Sequence, residues 1–273
     1  MRVLSHTLAF HKMHGLGNDF IIVDARTQSV IMTNGLARAL ADRRTGIGCD
    51  QLILLEPSHS ADLTMRIFNA DGSEVEACGN AARCVTQLVG HDARIETAGG
   101  TISGSLNDAS ATLDMGEPRF EWDAIPLAYA MDTANIPVGW EDLTNPIAVN
   151  IGNPHVIFFV EDAADVDLER LGPIIENDPL FPERANVNVA TVEADGSITL
   201  RVWERGAGIT RACGTGACAT TVAAVQRKLV SGETTVHLPG GDLNIFWAPG
   251  ETVRMTGPAT HVFSGEIETG DFA

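Results

Sequence analysis

Glu76-Ala77-Cys78-Gly79-Asn80-Ala81-Ala82-Arg83-Cys84 recurs in altered form as Arg211-Ala212-Cys213-Gly214-Thr215-Gly216-Ala217-Cys218-Ala219. The leading cysteines lie 135 positions apart (213 − 78). The same ungapped shift carries Gly17-Asn18 onto Gly152-Asn153, Gln51 onto Asn186, and Met65-Arg66-Ile67-Phe68 onto Leu200-Arg201-Val202-Trp203. One offset that aligns several separate segments, and is close to half of the 273 residues, marks two copies of one unit. Each copy carries one Ala-Cys-Gly at the same place.

Around the first cysteine, residues 52–55 and 63–68 read as strands, and Asn69-Ala70-Asp71-Gly72 as a turn. A helix then runs toward Gly90, a residue suited to a left-handed helix end. Upstream, residues 11–24 read as a loop around Gly15 and Gly17 followed by the strand 20–23, and Thr33 caps a helix that runs to Leu40. Residues 101–115 give one or two hairpin strands. The second copy repeats the order, with a strand at 156–160, a helical stretch at 168–177, a hairpin signal at Asp195-Gly196, a strand at 198–203 and a helix after Cys213. Further strands lie near 234–238, 243–247 and 253–255. Residues 117–146 hold four prolines and no clear period, so the crossover between copies is placed there. The expected domains are residues 1–130, carrying Cys78, and 131–261, carrying Cys213, with a strand in 262–273 packing back on the first.

Residues 212–225 contain no charge, and residues 80–89 only Arg83. A helix that is apolar all round is buried rather than amphipathic. The fold class expected is therefore α+β, with two pseudo-symmetric repeat domains, each a curved, mostly antiparallel sheet wrapped around a buried central helix.

The net charge of −18 argues against nucleic acid as a partner. No apolar run approaches the roughly 18 residues of a membrane span, and the first ten residues lack a signal-peptide pattern. The reading is a cytoplasmic protein with no membrane partner. Five cysteines do not suit a disulfide framework. The close pairs, Cys78/Cys84 and Cys213/Cys218, are spaced as x5 and x4 within one helix each, which does not suit a zinc site. Cys49, Cys84 and Cys218 read as packing residues.

Cys78 and Cys213 read differently. A cysteine at the first turn of a buried helix meets unpaired backbone N–H groups and the positive end of the helix dipole. Both are expected to favour the thiolate and lower its pKa. Gly79 and Gly214 admit a ligand close to the backbone, and the same N–H groups suit a carboxylate. Two such sulfurs suit a reaction in which one thiolate removes an α-proton and the other thiol returns a proton to the opposite face. The N–H groups would stabilise the enolate-like dianion between those steps.

Beyond the two cysteine segments, the chain carries Lys12-Met13-His14-Gly15-Leu16-Gly17-Asn18-Asp19-Phe20, Gly46-Ile47-Gly48-Cys49-Asp50-Gln51, Phe68-Asn69-Ala70-Asp71-Gly72, Gly152-Asn153-Pro154-His155, Asn186-Val187-Asn188 and Trp203-Glu204-Arg205-Gly206. In this order, across nearly the whole length, they resemble the diaminopimelate epimerase family. The resemblance implies an isomerase that converts LL-2,6-diaminopimelate to the meso form without a cofactor, a step used for lysine and cell-wall synthesis. It implies that Cys78 and Cys213 are the base and acid pair. The backbone around Gly79, Asn80, Gly214 and Thr215 would hold the reacting carboxylate, and Glu204 the reacting α-ammonium. Arg205, Asn69, Asn153 and Asn186 would hold the distal amino-acid end, Asn18 and Gln51 would line the site, and His155 would sit beside a cysteine and assist its ionisation. No metal is implied, and a homodimer is. Ala81 stands where the family commonly has a second glycine, and Trp203 where tyrosine is frequent.

Three other readings compete. A proline or hydroxyproline racemase would use paired cysteines on a substrate with one charged end, and the set Arg205, Asn153 and Asn186 argues against it. A pyridoxal-phosphate racemase would need Lys12 or Lys228, the only lysines. A non-catalytic amino-acid-binding protein would not exchange the substrate α-hydrogen.

Overall fold

A computed structural model describes residues 7–76, 78–107 and 110–272. The chain forms two compact units, Met1–Leu113 with Gly257–Ala273, and Asp114–Thr256.

In the first unit, β1 (Thr7–Gly15) and β2 (Asn18–Asp24) form an antiparallel hairpin. The segment read from sequence as a loop is thus mostly strand. Its turn is only Leu16-Gly17, at φ 56° and 86°. Two consecutive positive φ values match the right-handed twist of a hairpin, and glycine meets that demand at the second position. Helix α1 (Asn34–Ala41) is capped by Thr33, whose hydroxyl accepts from Leu36 N at 3.1 Å. Strand β3 (Gln51–Glu56) then pairs parallel with β2, Phe20 opposite Gln51. Strand β4 (Leu63–Asn69) returns antiparallel with Gln51 opposite Asn69, followed by the short β5 (Glu74–Val75). Helix α2 (Gly79–Val89) ends at Gly90 in the left-handed region, φ 79°. Strands β6 (Ala93–Thr97), β7 (Gly100–Asn107) and β8 (Ser110–Asp114) follow. Residues 108–109, between β7 and β8, lie outside the described residues. The C-terminal strand Thr260–Glu268 pairs antiparallel with β1, from Thr7 opposite Glu268 to His14 opposite Thr260.

In the second unit, β9 (Gly139–Trp140) and β10 (Leu143–Thr144) make a small hairpin. Strand β11 (Ile147–Asn150) pairs antiparallel with β12 (Pro154–Phe159). After α3 (Leu168–Glu176), β13 (Asn186–Val192) pairs parallel with β12, His155 opposite Asn186. That is the β2/β3 register moved by the repeat offset. Strands β14 (Ile198–Glu204) and β15 (Gly208–Thr210) lead into α4 (Gly214–Gln226), and β16 (Glu233–Leu238), β17 (Gly241–Phe246) and the first three residues of β18 (Arg254–Pro258) complete the unit.

Both helices that follow the cysteines are core elements. Residues 80–86 of α2 and 216–224 of α4 are buried. Small side chains make this possible. A Cβ on Gly104 of β7 would stand 2.1 Å from Thr86 Oγ1 of α2, so a strand without a side chain there lets the helix sit close.

Residues 114–130, assigned from sequence to the first repeat, belong to the second unit. Arg119 exchanges both backbone hydrogen bonds with Asn150, at 2.9 and 3.0 Å. Ile125 and Leu127 are buried against Ile136, Val156, Phe158 and Leu168. Residues 257–261, assigned to the second repeat, go with the first unit, where the C-terminal strand begins.

Candidate functional site

In each unit the candidate residues begin at the one that caps the central helix. In the first unit Cys78 is the N-cap of α2, with φ −149° and ψ 111°. The amides beside it form a directed chain. Arg83 Nη2 donates to Asn80 Oδ1 at 2.9 Å, Asn80 Nδ2 donates to Asn18 Oδ1 at 3.2 Å, and Asn18 Nδ2 donates to Asp50 Oδ2 at 2.9 Å. It runs from a fully buried guanidinium to a carboxylate, so each amide dipole points the same way and the bonds reinforce one another. Its direction turns Asn18 Oδ1 toward Cys78 Sγ, 4.0 Å away. Asp50 is itself held by Arg43 Nη2 at 2.7 Å.

A second amide pair lies at the parallel strand register. Gln51 Nε2 donates to Asn69 Oδ1 at 3.0 Å, and Asn69 Nδ2 to Ser73 Oγ at 3.2 Å. Gln51 Oε1 is buried with no partner among the described residues. An orphaned acceptor there suits an ammonium donor from a ligand.

In the second unit Cys213 is the N-cap of α4, with φ −115° and ψ 104°. Its sulfur accepts from Gly216 N at 3.3 Å and lies 3.6 Å from Thr215 Oγ1. Glu204, the last residue of β14, takes a short hydrogen bond from Thr210 Oγ1. Burial pushes the Cys213 thiol well above its ordinary value, and the Glu204 carboxylate adds to the shift. The sequence reading of a lowered thiol pKa therefore fails at Cys213. The N–H at the helix start favours the thiolate, but desolvation and a neighbouring carboxylate outweigh it. Burial raises the pKa of Glu204 as well.

The turn after β14 is clamped from below. Glu176, buried at the end of α3, accepts from Trp203 Nε1 at 2.7 Å and from Gly206 N at 2.9 Å. Between these points, Arg205 N donates to Asn186 Oδ1 at 2.9 Å, and Arg205 Nη1 to Glu183 O at 3.0 Å. Asn186 Nδ2 is anchored on Pro154 O at 2.9 Å. Trp203 fits because residue 172 is glycine: a Cβ there would stand 2.5 Å from the indole. Gly172→Ala is expected to cost about 1–3 kcal/mol by overpacking. Because the indole precedes Glu204, the change should also raise KM. Urea unfolding and initial-rate kinetics check both effects.

His155 is not hydrogen-bonded to Cys213. Within the second unit its two ring nitrogens meet asparagines: Nε2 lies 2.9 Å from Asn153 Oδ1 and Nδ1 lies 3.1 Å from Asn188 Nδ2. Burial drives its pKa down to about 3. The ring is neutral at pH 7, and the carboxylate that shifts Cys213 is that of Glu204. The depressed pKa has a stability consequence. Between pH 6.5 and 3 the unfolded chain takes up a proton on this residue and the folded chain does not. Stability from this group is therefore present above pH 6.5 and falls by about 1.4 kcal/mol per unit as pH drops through that window. Denaturant unfolding at pH 6.5 and pH 5 should show a loss about 2 kcal/mol smaller in His155→Gln than in the parent.

Glu176, Asn188, Asp50, Arg83 and Thr210 were not singled out as site residues from sequence. The available signals were weak. Asn188 alternates with Asn186 on a strand otherwise made of valine, alanine and threonine, where asparagine is disfavoured and seldom fully buried. Arg83 is the one charge in the α2 segment. Among the described residues no group of three or more His, Cys, Asp or Glu side chains is placed to hold a metal ion, and no helix is long and apolar enough to cross a membrane.

Comparison with known proteins gives a match to the family model for diaminopimelate epimerase over residues 10–121 and 147–262. The chain belongs to the diaminopimelate epimerase family. A relative of that name from Rhizorhabdus wittichii is 64% identical over 264 residues, covering 96% of this chain and 96% of its own. Two solved structures have the same fold. A phenazine biosynthesis protein of the PhzF family from Enterococcus faecalis has TM-score 0.71 at 13% identity, covering 96% of this chain and 99% of its own. A hydroxyproline epimerase from Agrobacterium vitis, solved with trans-4-hydroxy-L-proline, has TM-score 0.66 at 16% identity, covering 98% and 92%. The family match falls in two blocks, and the residues between them, 122–146, include the β9/β10 hairpin.

Proposed function

We propose that this chain interconverts LL- and meso-diaminopimelate by proton transfer at one α-carbon, with Cys78 and Cys213 as the two acid–base groups and no cofactor. The observation that carries the mechanism is that each repeat places one cysteine as the N-cap of its central helix, at the same offset as the rest of the repeat. Two thiols suffice for the chemistry. The thiolate of one takes the α-proton, the substrate carboxylate takes up the electron pair as an enediolate, and the other thiol protonates the opposite face. Each turnover leaves the cysteines with exchanged protonation states, ready for the reverse direction.

The first-turn N–H groups at Gly79, Asn80, Gly214 and Thr215 serve the carboxylate, where negative charge builds up during the reaction. Glu204 serves the α-ammonium. Arg205, Asn186, Asn153 and Asn69 serve the distal amino-acid end, and Asn18 and Gln51 line the site. Lys12 is not placed as an aldehyde partner, because its Nζ donates hydrogen bonds to Asp19 and to the Gly48 carbonyl. Lys228 lies beyond the end of α4 and is exposed.

The test is incubation with LL-diaminopimelate in deuterated water, following α-deuteration and the meso product by NMR and mass spectrometry. Epimerisation with solvent deuterium in the product is expected. Absence of exchange would favour a binding protein, and turnover of L-proline or hydroxyproline instead would favour the racemases that share the fold. Arg205→Lys should raise KM for diaminopimelate by about tenfold or more, because an ammonium cannot present paired planar donors to a carboxylate. An unchanged KM would remove Arg205 from the site.

The reading extends to a cytoplasmic homodimer. Five free cysteines fit a reducing compartment. Val262 and Phe263, 53% and 47% exposed on the C-terminal strand, offer apolar surface for a second copy. A monomer mass in sedimentation at micromolar concentration would overturn the dimer.

A further inference from the structure

Asn188 sits in the middle of β13, fully buried, and is not itself one of the residues proposed to contact substrate. Its amide orientation is fixed by its surroundings. Nδ2 faces two backbone carbonyls, Val156 O at 3.2 Å and Asn186 O at 3.5 Å, so the nitrogen is on that side. The His155 Nδ1 atom, 3.1 Å from the same nitrogen, must then accept. A neutral imidazole that accepts at Nδ1 carries its proton on Nε2. That N–H donates to Asn153 Oδ1 at 2.9 Å, which turns the Asn153 Nδ2 group, with its two N–H donors, away from the ring.

The other end of Asn188 reaches the catalytic helix. Its Oδ1 is buried with no hydrogen-bond partner among the described residues. It lies 2.7 Å from the place a Cβ would occupy on Gly216, and that same place is 3.2 Å from Cys213 Sγ. Glycine at 216 is what lets the amide stand against the first turn of α4.

We propose that Asn188 is a positioning residue: through the His155 ring it sets the amide orientation of Asn153, so that Asn153 offers N–H donors to the distal carboxylate of the substrate. This rests on the reading that Asn153 binds diaminopimelate. The arrangement uses a buried side chain to choose between two orientations of nearly identical shape. If the ring carried its proton on Nδ1, Asn153 would be turned to offer a carbonyl oxygen, which repels a carboxylate.

Two variants separate this role from packing. Asn188→Asp keeps the shape but replaces the donor by an acceptor, which draws the imidazole proton to Nδ1. Asn188→Leu removes the donor and alters the packing. Long-range proton–nitrogen NMR of histidine-labelled protein, with His155 assigned from His155→Gln, reads the tautomer directly. The parent should show His155 protonated on Nε2 alone, and Asn188→Asp should show a proton on Nδ1. KM for diaminopimelate should rise about tenfold or more in Asn188→Asp, with the smaller rise in Asn188→Leu, because a misdirected polar partner costs more than an absent one. A packing role gives the opposite order. A parent spectrum with Nδ1 protonated overturns the proposal whether or not either variant folds. An unchanged KM in Asn188→Asp with the proton moved to Nδ1 overturns it as well. An unchanged KM in Asn153→Ala, with the parent tautomer as expected, would instead remove Asn153 from the substrate site and leave the hydrogen-bond order intact.

Discussion

Alanine at either Cys78 or Cys213 is expected to lower the rate of epimerisation by about a thousandfold or more, since every turnover needs both a base and an acid. The two variants should fail in different ways. Each keeps one thiol, and one thiol is enough to remove and return a proton on a single face. Cys213→Ala and Cys78→Ala should therefore each exchange the α-hydrogen with deuterated water in only one substrate stereoisomer, without inversion. Cys49 and Cys84 supply the controls. Neither caps a central helix, burial pushes both thiols up to about 12, and their removal should affect unfolding rather than turnover. Near-parental epimerisation by either Cys78→Ala or Cys213→Ala would end the two-thiol mechanism for this chain.

Glu204→Gln should produce a less active enzyme with a more reactive cysteine. The carboxylate of Glu204 adds to the elevation of the Cys213 pKa, so its removal should lower that pKa. Alkylation of Cys213 at pH 8 by iodoacetamide should then speed up, as read by peptide mass spectrometry. The catalytic efficiency should nevertheless fall by about a hundredfold or more, since a charge-assisted bond to the substrate ammonium is lost. An efficiency close to that of the parent would deny Glu204 its place on the ammonium. Slower alkylation would show that Glu204 stabilises the thiolate, contrary to the electrostatics of the folded chain.

The architecture was legible wherever the repeat offset could be laid over a strong pattern. The charge-free run before Val225 and the Gly90 stop placed both central helices, and the 51/186 equivalence became an equivalence of strand register. Legibility failed where structure depends on partners distant in sequence. Residues 114–130 look like a linker because their prolines erase periodicity, yet Arg119 is paired with Asn150 and Ile125 and Leu127 are core residues. At the site, residue type and spacing located the two cysteines as helix caps. The thiol pKa could not be read in the same way, because it turns on how deeply Cys213 is buried and on a glutamate nine positions upstream. Glu176 meets Trp203 and the Gly206 amide, and Asn188 meets His155, all of them partners set by the fold rather than by a local motif. Their part emerges once Trp203 Nε1 and His155 Nδ1 have coordinates.

The shared strand register of the two units also records how far they have drifted apart. Where the first unit has Asn69-Ala70-Asp71, the second has Glu204-Arg205-Gly206 at the same offset. A chain assembled from two copies of the second unit would own two glutamate-flanked thiols and no Arg83-to-Asp50 amide chain. A chain of two first units would own that chain twice and no arginine turn. Either molecule of two like halves lacks half of the inventory proposed here to hold the reacting and the distal end of the substrate in different ways. Fusion of the copies into one polypeptide thus removed the requirement that both halves stay alike, and the specialisation that followed cannot be undone by swapping one half for its twin.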